Sequence, residues 1–415
     1  MAYMALVLLL IFIAIMLLGI PVGFGMGALT VIAFELLGGD LSMIPQKMFA
    51  GIDTYTYVCI LLFILSADIM SVGGITNAIV VFCEKLVGHI KGGLAHVNVL
   101  ASMLFAGLSG SAAADAAGLG PIEIKMMTDG GYDKEFSSCL TAASAIIGPI
   151  IPPSNIMIIY AGCVGTVSVG KMFLAGAIPG ILLGIAYMIF CYWISVKRKY
   201  PCRKTRATWK EIGHATWETL PALLLPIIIM GTITLGICTA TESSAIAVIY
   251  STIVAACKKN LSIKSFCRAC IRSAKAAANV LFIIAISSAM AWAVTTLGVA
   301  QALTNFCVAY INNKIVFLLF VNVLLLLMVP ILWPVAKTLG IDAIHFGVMV
   351  CFNLMVGTLT PPVGMMLFIV SNVGKVKLSV MYKGILPFVA VAVVVLLLIT
   401  YVPSLTTWLP GVLMP

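Results

Sequence analysis

Charge is what this sequence has least of. Only 9% of its 415 residues are Asp, Glu, Lys or Arg, where a soluble domain carries about a quarter. That shortage excludes an ordinary water-soluble globule. Acids are scarcer than bases, 14 against 24, which leaves a formal net charge of +10. The excess is not a nucleic-acid footprint, because the basic residues gather in short clusters between apolar runs. Histidine is rarer still: His89, His96, His214 and His345 form no metal-ligand spacing. G-x-S-x-G, P-loop and H-E-x-x-H patterns are all missing. With no catalytic constellation, an enzyme is not expected, and neither is an organic cofactor. The 12 cysteines are scattered, and Cys59, Cys83, Cys191 and Cys307 sit in apolar runs as small hydrophobes. Cys267-Arg-Ala-Cys270 has no second pair and no histidine near it, so a zinc or redox role is not expected. The short alternating segments of a membrane β-barrel are absent as well.

What the sequence does have is apolar length. Hydrophobic residues make up 62% of it, and runs of about 20 residues, enough to cross a bilayer, recur along the chain. The expected fold class is an all-α polytopic membrane protein. The N-terminal stretch MAYMALVLLLIFIAIMLLGIPVGFG lacks a basic n-region and a small-x-small cleavage site, so it is expected to be a retained first span. Three basic loops, 197–210, 258–275 and 375–383, are placed in the cytoplasm. Segments 219–236 and 240–256 cross between the first two. Segment 276–300 goes out, 343–372 returns, and 385–402 leaves again. Between the polar flanks 84–91 and 125–135, segment 92–124 is apolar but rich in Gly, Ala and Ser. It is expected to enter and return as a re-entrant hairpin, which is tolerated only inside protein or along a cavity.

Two proline pairs interrupt apolar segments, in GPIIPPSN at 148–155 and in GTLTPPVG at 357–364. Other motifs also occur twice. Gly-Ile followed by Ala-x-x-Val-Ile appears after Gly19 and after Gly236. Val97-Asn98-Val99-Leu100 returns as Val321-Asn322-Val323-Leu324, and Gly131-Tyr132-Asp133 as Gly340-Ile341-Asp342. The chain therefore divides into repeats 1–210 and 211–415. Each has an odd number of crossings, so the second is inverted relative to the first. Scaffold spans are expected at 1–83 and 219–300, and moving elements at 92–163 and 321–372. Inverted repeats with paired broken helices are the architecture of secondary transporters. Proline has no N–H and clashes with the preceding turn. The breaks at Pro152-Pro153 and Pro361-Pro362 thus free carbonyl oxygens, which suit a small hard cation, while half-helix N-termini suit a carboxylate. Ser154 and Asn155 at the first break are candidates for substrate. The facing half of the site is expected from GLSGSAAADAAGLG at 107–120, where Ser109, Gly110 and Ser111 offer hydroxyls and accessible backbone. Asp115 is a carboxylate in an apolar segment, a placement that usually serves a ligand path or a partner, and it joins the substrate candidates.

GLSGSAAADAAGLG, the IIPPSN break, KMFLAGAIPG at 171–180, GICTATESSA and GTLTPPVGMMLF together resemble the large membrane subunit of tripartite ATP-independent periplasmic (TRAP) transporters. The resemblance implies an elevator-type secondary transporter in a bacterial inner membrane, taking up an organic anion such as a sialic acid or C4-dicarboxylate with sodium. It implies two partners, a small four-helix membrane subunit and a periplasmic substrate-binding protein. It also implies sodium sites at Ser109, Gly110, Ser111 and the backbone of Pro152 and Pro153, with Thr360 and Pro361 in the second half. One departure stands out. The interval from Val321 to Gly340 is about 15 residues shorter than its counterpart from Val97 to Gly131, and Met328 runs straight into Val329-Pro330. The remaining LLLLMVPILWPVAKTLG measures about 25 Å as helix, short for two arms of a second hairpin. A transport-impaired chain is therefore one alternative. A standalone ion-coupled anion carrier of the same architecture is another.

Overall fold

The computed structural model describes residues 22–202, 206–296, 298, 336–337, 339–361 and 364–414. Helices account for all regular structure among them. The order is α1 (Val22–Leu36), α2 (Met43–Ile52), α3 (Val58–Val72), α4 (Ile75–Val87), α5 (Gly93–Ser109), α6 (Ala112–Gly118), α7 (Gly120–Asp129), α8 (Lys134–Ala145), α9 (Asn155–Val164), α10 (Val169–Arg198), α11 (Trp209–Thr234), α12 (Ala240–Cys257) and α13 (Ile263–Thr296). After residues outside the description come α14 (Ala343–Leu359), α15 (Met365–Gly374), α16 (Leu378–Gly384), α17 (Leu386–Tyr401) and α18 (Ser404–Leu413). Five helical stretches among the described residues are long and apolar enough to cross a membrane: Tyr55–Val72, α10, α11, α12 and α13. Helices α15 and α16 form a pair bent by 119°, and α17 and α18 a pair bent by 60°. The expected first span at the N-terminus lies outside the described residues, as do Met328, Pro330 and most of the shortened second hairpin.

The helices share one main core, and two sets of them can be followed within it. In the first, α3 lies against α12 and α13, and α13 lies along α1 and α2. Small residues bring these backbones close. Ser66 Oγ shares a hydrogen bond with Ser251 Oγ at 2.8 Å and donates to the Ala247 carbonyl at 3.2 Å. Such interhelical hydroxyl bonds are the glue of apolar bundles. Phe34 stacks on Trp292 at 5.0 Å between centroids. Asp68 takes a bidentate pair from Arg272, at 2.9 and 2.8 Å, and a third bond from Ser273 at 2.8 Å.

That pair explains one difference from the sequence reading. Segment 258–275 was expected as a loop, yet helix begins at Ile263 and runs through it. Its Lys, Arg and Ala residues are good helix formers, and docking Arg272 on Asp68 holds the basic end of α13 against α3. The C-terminal span 385–402 is present as α17, and α18, not anticipated, follows after Pro403 at a bend of 60°.

The second group contains α5 to α10 and α14 to α18. Tyr160 donates to the Ala343 carbonyl at 2.9 Å, and His345 Nδ1 meets Thr406 Oγ1 at 2.9 Å, tying α9, α14 and α18 together. At one end, Tyr132 and Tyr200 stack at 4.3 Å. Burial pushes the Tyr200 phenol up to about 12, so it remains a neutral donor to Asp133 at 2.5 Å.

The repeated motifs share local backbone. Gly131 and Gly340 both have positive φ, 84° and 66°. Asp133 and Asp342 then stand at the N-caps of α8 and α14. Each helix runs toward a proline pair and ends before it.

Candidate functional site

Segment 92–124 forms helix, turn, helix. Helix α5 ends at Ser109. Gly110 follows at φ 58°, a left-handed conformation that glycine adopts without strain. Ser111 then caps α6, its hydroxyl accepting from the Ala114 N–H at 3.4 Å. On the other side, α8 ends at Ala145 and regular helix resumes only at Asn155. Ser154 caps α9: its hydroxyl accepts from the Met157 N–H at 3.3 Å and donates to the Pro149 carbonyl. The Pro152-Pro153 peptide bond is cis.

The hairpin tip and the proline break touch. The Asn155 N–H donates to the Gly110 carbonyl at 3.4 Å. A Cβ added to Gly110 would run into the Pro153 carbonyl oxygen. One added to Gly148 would lie 3.6 Å from the Ser111 carbonyl oxygen. Ser109, Gly110, Ser111, Pro152, Pro153, Ser154 and Asn155 are thus brought to one place. The oxygens there are hydroxyls and carbonyls, neutral donors of the kind that take a hard monovalent cation in place of water. Asn155 adds a buried side-chain oxygen with no hydrogen-bond partner among the described residues, at the N-terminal end of α9.

Asp115 is one turn further along, its N–H donating to the Ser111 carbonyl at 3.0 Å. Its carboxylate is 1% exposed and neither oxygen accepts a hydrogen bond among the described residues. It faces Ser102 and Glu123. Behind it lies a fully buried polar network. Asn98 Nδ2 donates to Glu123 Oε2 at 3.0 Å and to Thr141 Oγ1 at 2.7 Å, and Ser144 Oγ donates to Asn98 Oδ1 at 2.7 Å. Ser102 Oγ donates to Ser144 Oγ at 3.1 Å and approaches Glu123 Oε1 at 3.5 Å.

Thr360 and Pro361 stand at the second break, between α14 and α15. The Thr360 hydroxyl donates to the Val356 carbonyl at 2.9 Å, and its own carbonyl accepts from the Gly364 N–H at 3.0 Å. Pro362 and most of the facing segment fall outside the described residues.

Over residues 9–405 the chain matches the family described as "Tripartite ATP-independent periplasmic transporter, DctM component". It belongs to that family. The DctM-like large permease of a secondary transporter is thus what the chain is, and it is not an enzyme. Among curated relatives, the sialic acid TRAP transporter large permease protein SiaM of Vibrio cholerae is 40% identical over 408 residues, covering 94% of this chain and 95% of that protein. The sialic acid TRAP transporter permease protein SiaT of Haemophilus influenzae is 38% identical over 422 residues, covering 98% of this chain and 68% of that protein. The C4-dicarboxylate TRAP transporter large permease protein DctM of Pseudomonas aeruginosa is 35% identical over 399 residues, covering 93% and 92%. The YdaH transporter of Alcanivorax borkumensis, a solved structure of unusual topology, superposes with a TM-score of 0.60 at 13% identity, covering 89% of both chains. That likeness concerns the fold alone.

Sequence reasoning for this DctM-family chain singled out the tip and the break but missed Glu123 and the partners around it. The signal was available. Glu123 is a second acid within the apolar segment 92–124, eight residues after Asp115, and Asn98 lies in one of the repeated motifs. Asp68 and Glu242, two further acids beside apolar stretches, are tied up structurally. Asp68 holds Arg272, and Glu242 closes a capping box with Thr239.

Proposed function

We propose that the chain is the permease subunit that moves an organic anion inward with sodium, through an elevator movement of the second helical group against the first. The observation that carries the reading is the meeting of the Ser109–Ser111 tip with the Pro152–Asn155 break. It joins neutral oxygen donors suited to a sodium ion with the N-terminus of α9, whose partial positive charge suits a carboxylate. Ser109, Gly110, Ser111, Pro152 and Pro153 are assigned to the cation, with Thr360 and Pro361 in a corresponding role in the second half. Ser154 and Asn155 are assigned to the substrate. Asp115, expected beside them, is enclosed and faces Ser102 and Glu123; it is kept as a substrate-side candidate one turn into α6.

The partners in this reading are a small four-helix membrane subunit and a periplasmic binding protein, in a bacterial inner membrane. The substrates in the relatives' names, sialic acid and C4-dicarboxylates, are the first to test. The experiment is uptake into proteoliposomes containing the chain and its small subunit, with binding protein outside and an imposed sodium gradient. Labelled sialic acid and succinate are supplied in turn. Accumulation that needs sodium and both partners supports the reading. Uptake without the binding protein favours a standalone carrier, and no uptake of either anion under any gradient favours an impaired chain.

A further inference from the structure

We infer that Glu123 is a positioning residue: through Asn98, Ser102 and Ser144 it fixes the register between the hairpin and the helix entering the proline break, and so sets the sodium affinity of the site between them. The inference rests on the cation role proposed for that site.

Three helices meet at this network. Asn98 and Ser102 stand one turn apart on α5, Glu123 is on α7, and Thr141 and Ser144 are on α8. Both ends of the Asn98 amide are used, its nitrogen toward Glu123 and Thr141, its oxygen from Ser144. An amide with both ends committed admits one orientation. Glu123 accepts from Asn98 at one oxygen and has the other 3.5 Å from Ser102 Oγ, so a single carboxyl group faces two successive turns of α5. Ser102 reaches on to Ser144 at 3.1 Å, which closes the loop from hairpin to broken helix.

The two outputs of this loop are the two halves of the site. Ser102 lies two turns before Ser109, about 10 Å along α5, and Ser144 is the next-to-last residue of α8, where helix gives way to the break. A slip of either helix by one residue would separate these hydroxyls and leave buried polar groups unpaired, which apolar surroundings penalise heavily. In the second half, Asn322 copies Asn98, yet no acid occurs anywhere in 321–340.

The test is thermal unfolding of the purified full chain in detergent, titrating NaCl against KCl at constant ionic strength, for the wild type and for Glu123→Ala, Glu123→Gln, Ser144→Ala and Ser111→Ala. Ion binding to the folded state raises the melting temperature by mass action, so the midpoint reports affinity. Glu123→Ala is expected to raise the half-saturating sodium concentration by about tenfold, the weight of one buried hydrogen bond to an acid. Glu123→Gln, which still accepts from Asn98, is expected to stay within about threefold of wild type. A lower melting temperature in KCl with an unchanged sodium midpoint would make Glu123 merely structural and overturn the inference. So would Glu123→Gln behaving as badly as Glu123→Ala, because charge would then matter rather than hydrogen-bond geometry. If Glu123→Ala does not fold, Ser144→Ala carries the same test, and an unchanged midpoint there overturns it too. A wild type with no sodium response sinks the cation reading as well. A wild-type response lost in Ser111→Ala and untouched by the Glu123 and Ser144 variants sinks only the positioning role.

Discussion

Asn155 and Gly110 are joined backbone to backbone: the N–H of the first donates to the carbonyl of the second at 3.4 Å. They lie on segments that the sequence separates by three helices, α6 to α8, and the break. The contact is possible because Gly110 has no side chain, since a Cβ there would strike the Pro153 carbonyl oxygen. Gly110→Ala should therefore abolish sodium-dependent uptake. A matched control is at hand in Gly165→Ala. Gly165 has a similar φ, 71°, but nothing stands within 4 Å of its Cβ position. Both variants carry the left-handed penalty of about 1 kcal/mol, and only the first pushes tip and break apart. Equal uptake by the two variants would mean that the contact is dispensable.

Ser154 secures the restart of helix after the break. Its hydroxyl both caps α9 and holds the Pro149 carbonyl. Ser154→Ala should cost about 1 kcal/mol of stability, the usual weight of an N-cap, and Ser154→Thr should restore most of it. Denaturation midpoints of the three proteins in KCl check this, since sodium binding is then absent from the comparison. A Ser154→Ala protein as stable as wild type would show that α9 is held by its packing alone.

The breaks and the hairpin were legible in the sequence because proline and glycine act on the backbone wherever they stand. Pro152-Pro153 removes two donors from any helix, and Gly110 permits a turn that Ala112 or Ala113 would not. Asp115 announced itself through the cost of a charge in an apolar run. Glu123 did not, since its neighbour Lys125 and the polar flank beyond it made α7 look like the edge of a loop. Its meaning depends on Asn98 and Ser144, which lie 25 and 21 positions away and become partners only when three helices close. The extension of α13 through Ile263–Lys275 was illegible for a similar reason. Four basic residues there read as a cytoplasmic loop, and only the acceptor on Asp68, far away in sequence, turns one of them into a helix anchor.

The Asp68–Arg272 pair belongs to the group of helices assigned to the scaffold, away from the tip and the break. Arg272 is largely exposed and Asp68 mostly enclosed. A double-mutant cycle with Asp68→Ala and Arg272→Ala should give a coupling of about 1 kcal/mol, at the upper end for a partly exposed pair, and it should shrink as salt is raised. Neither variant should move the sodium midpoint. A shift in that midpoint would mean that the two helical groups are coupled through α3 and α13.

Three cysteines test how the chain sits in the bilayer. Cys202 precedes α11, Cys238 follows it, and Cys267 stands in the first turns of α13, beyond α12. Helix α11 is about 39 Å long, more than the ~30 Å hydrocarbon core, so Cys202 and Cys238 must emerge on opposite faces. Helix α12 returns the chain, which puts Cys267 back with Cys202. Both of these lie among clustered Lys and Arg residues, so their face is the cytoplasm. Cys202 and Cys267 are exposed and Cys238 is half-buried, so each should be open to reagent. In single-cysteine proteins, a membrane-impermeant maleimide added to right-side-out vesicles should label Cys238 and spare Cys202 and Cys267. Inside-out vesicles should give the reverse. Labelling of Cys202 and Cys267 from opposite sides would break the α11–α12 crossing pair. Labelling of both from outside would invert the protein, and the Pro152–Asn155 break would then lie on a half-helix pointing the other way across the membrane.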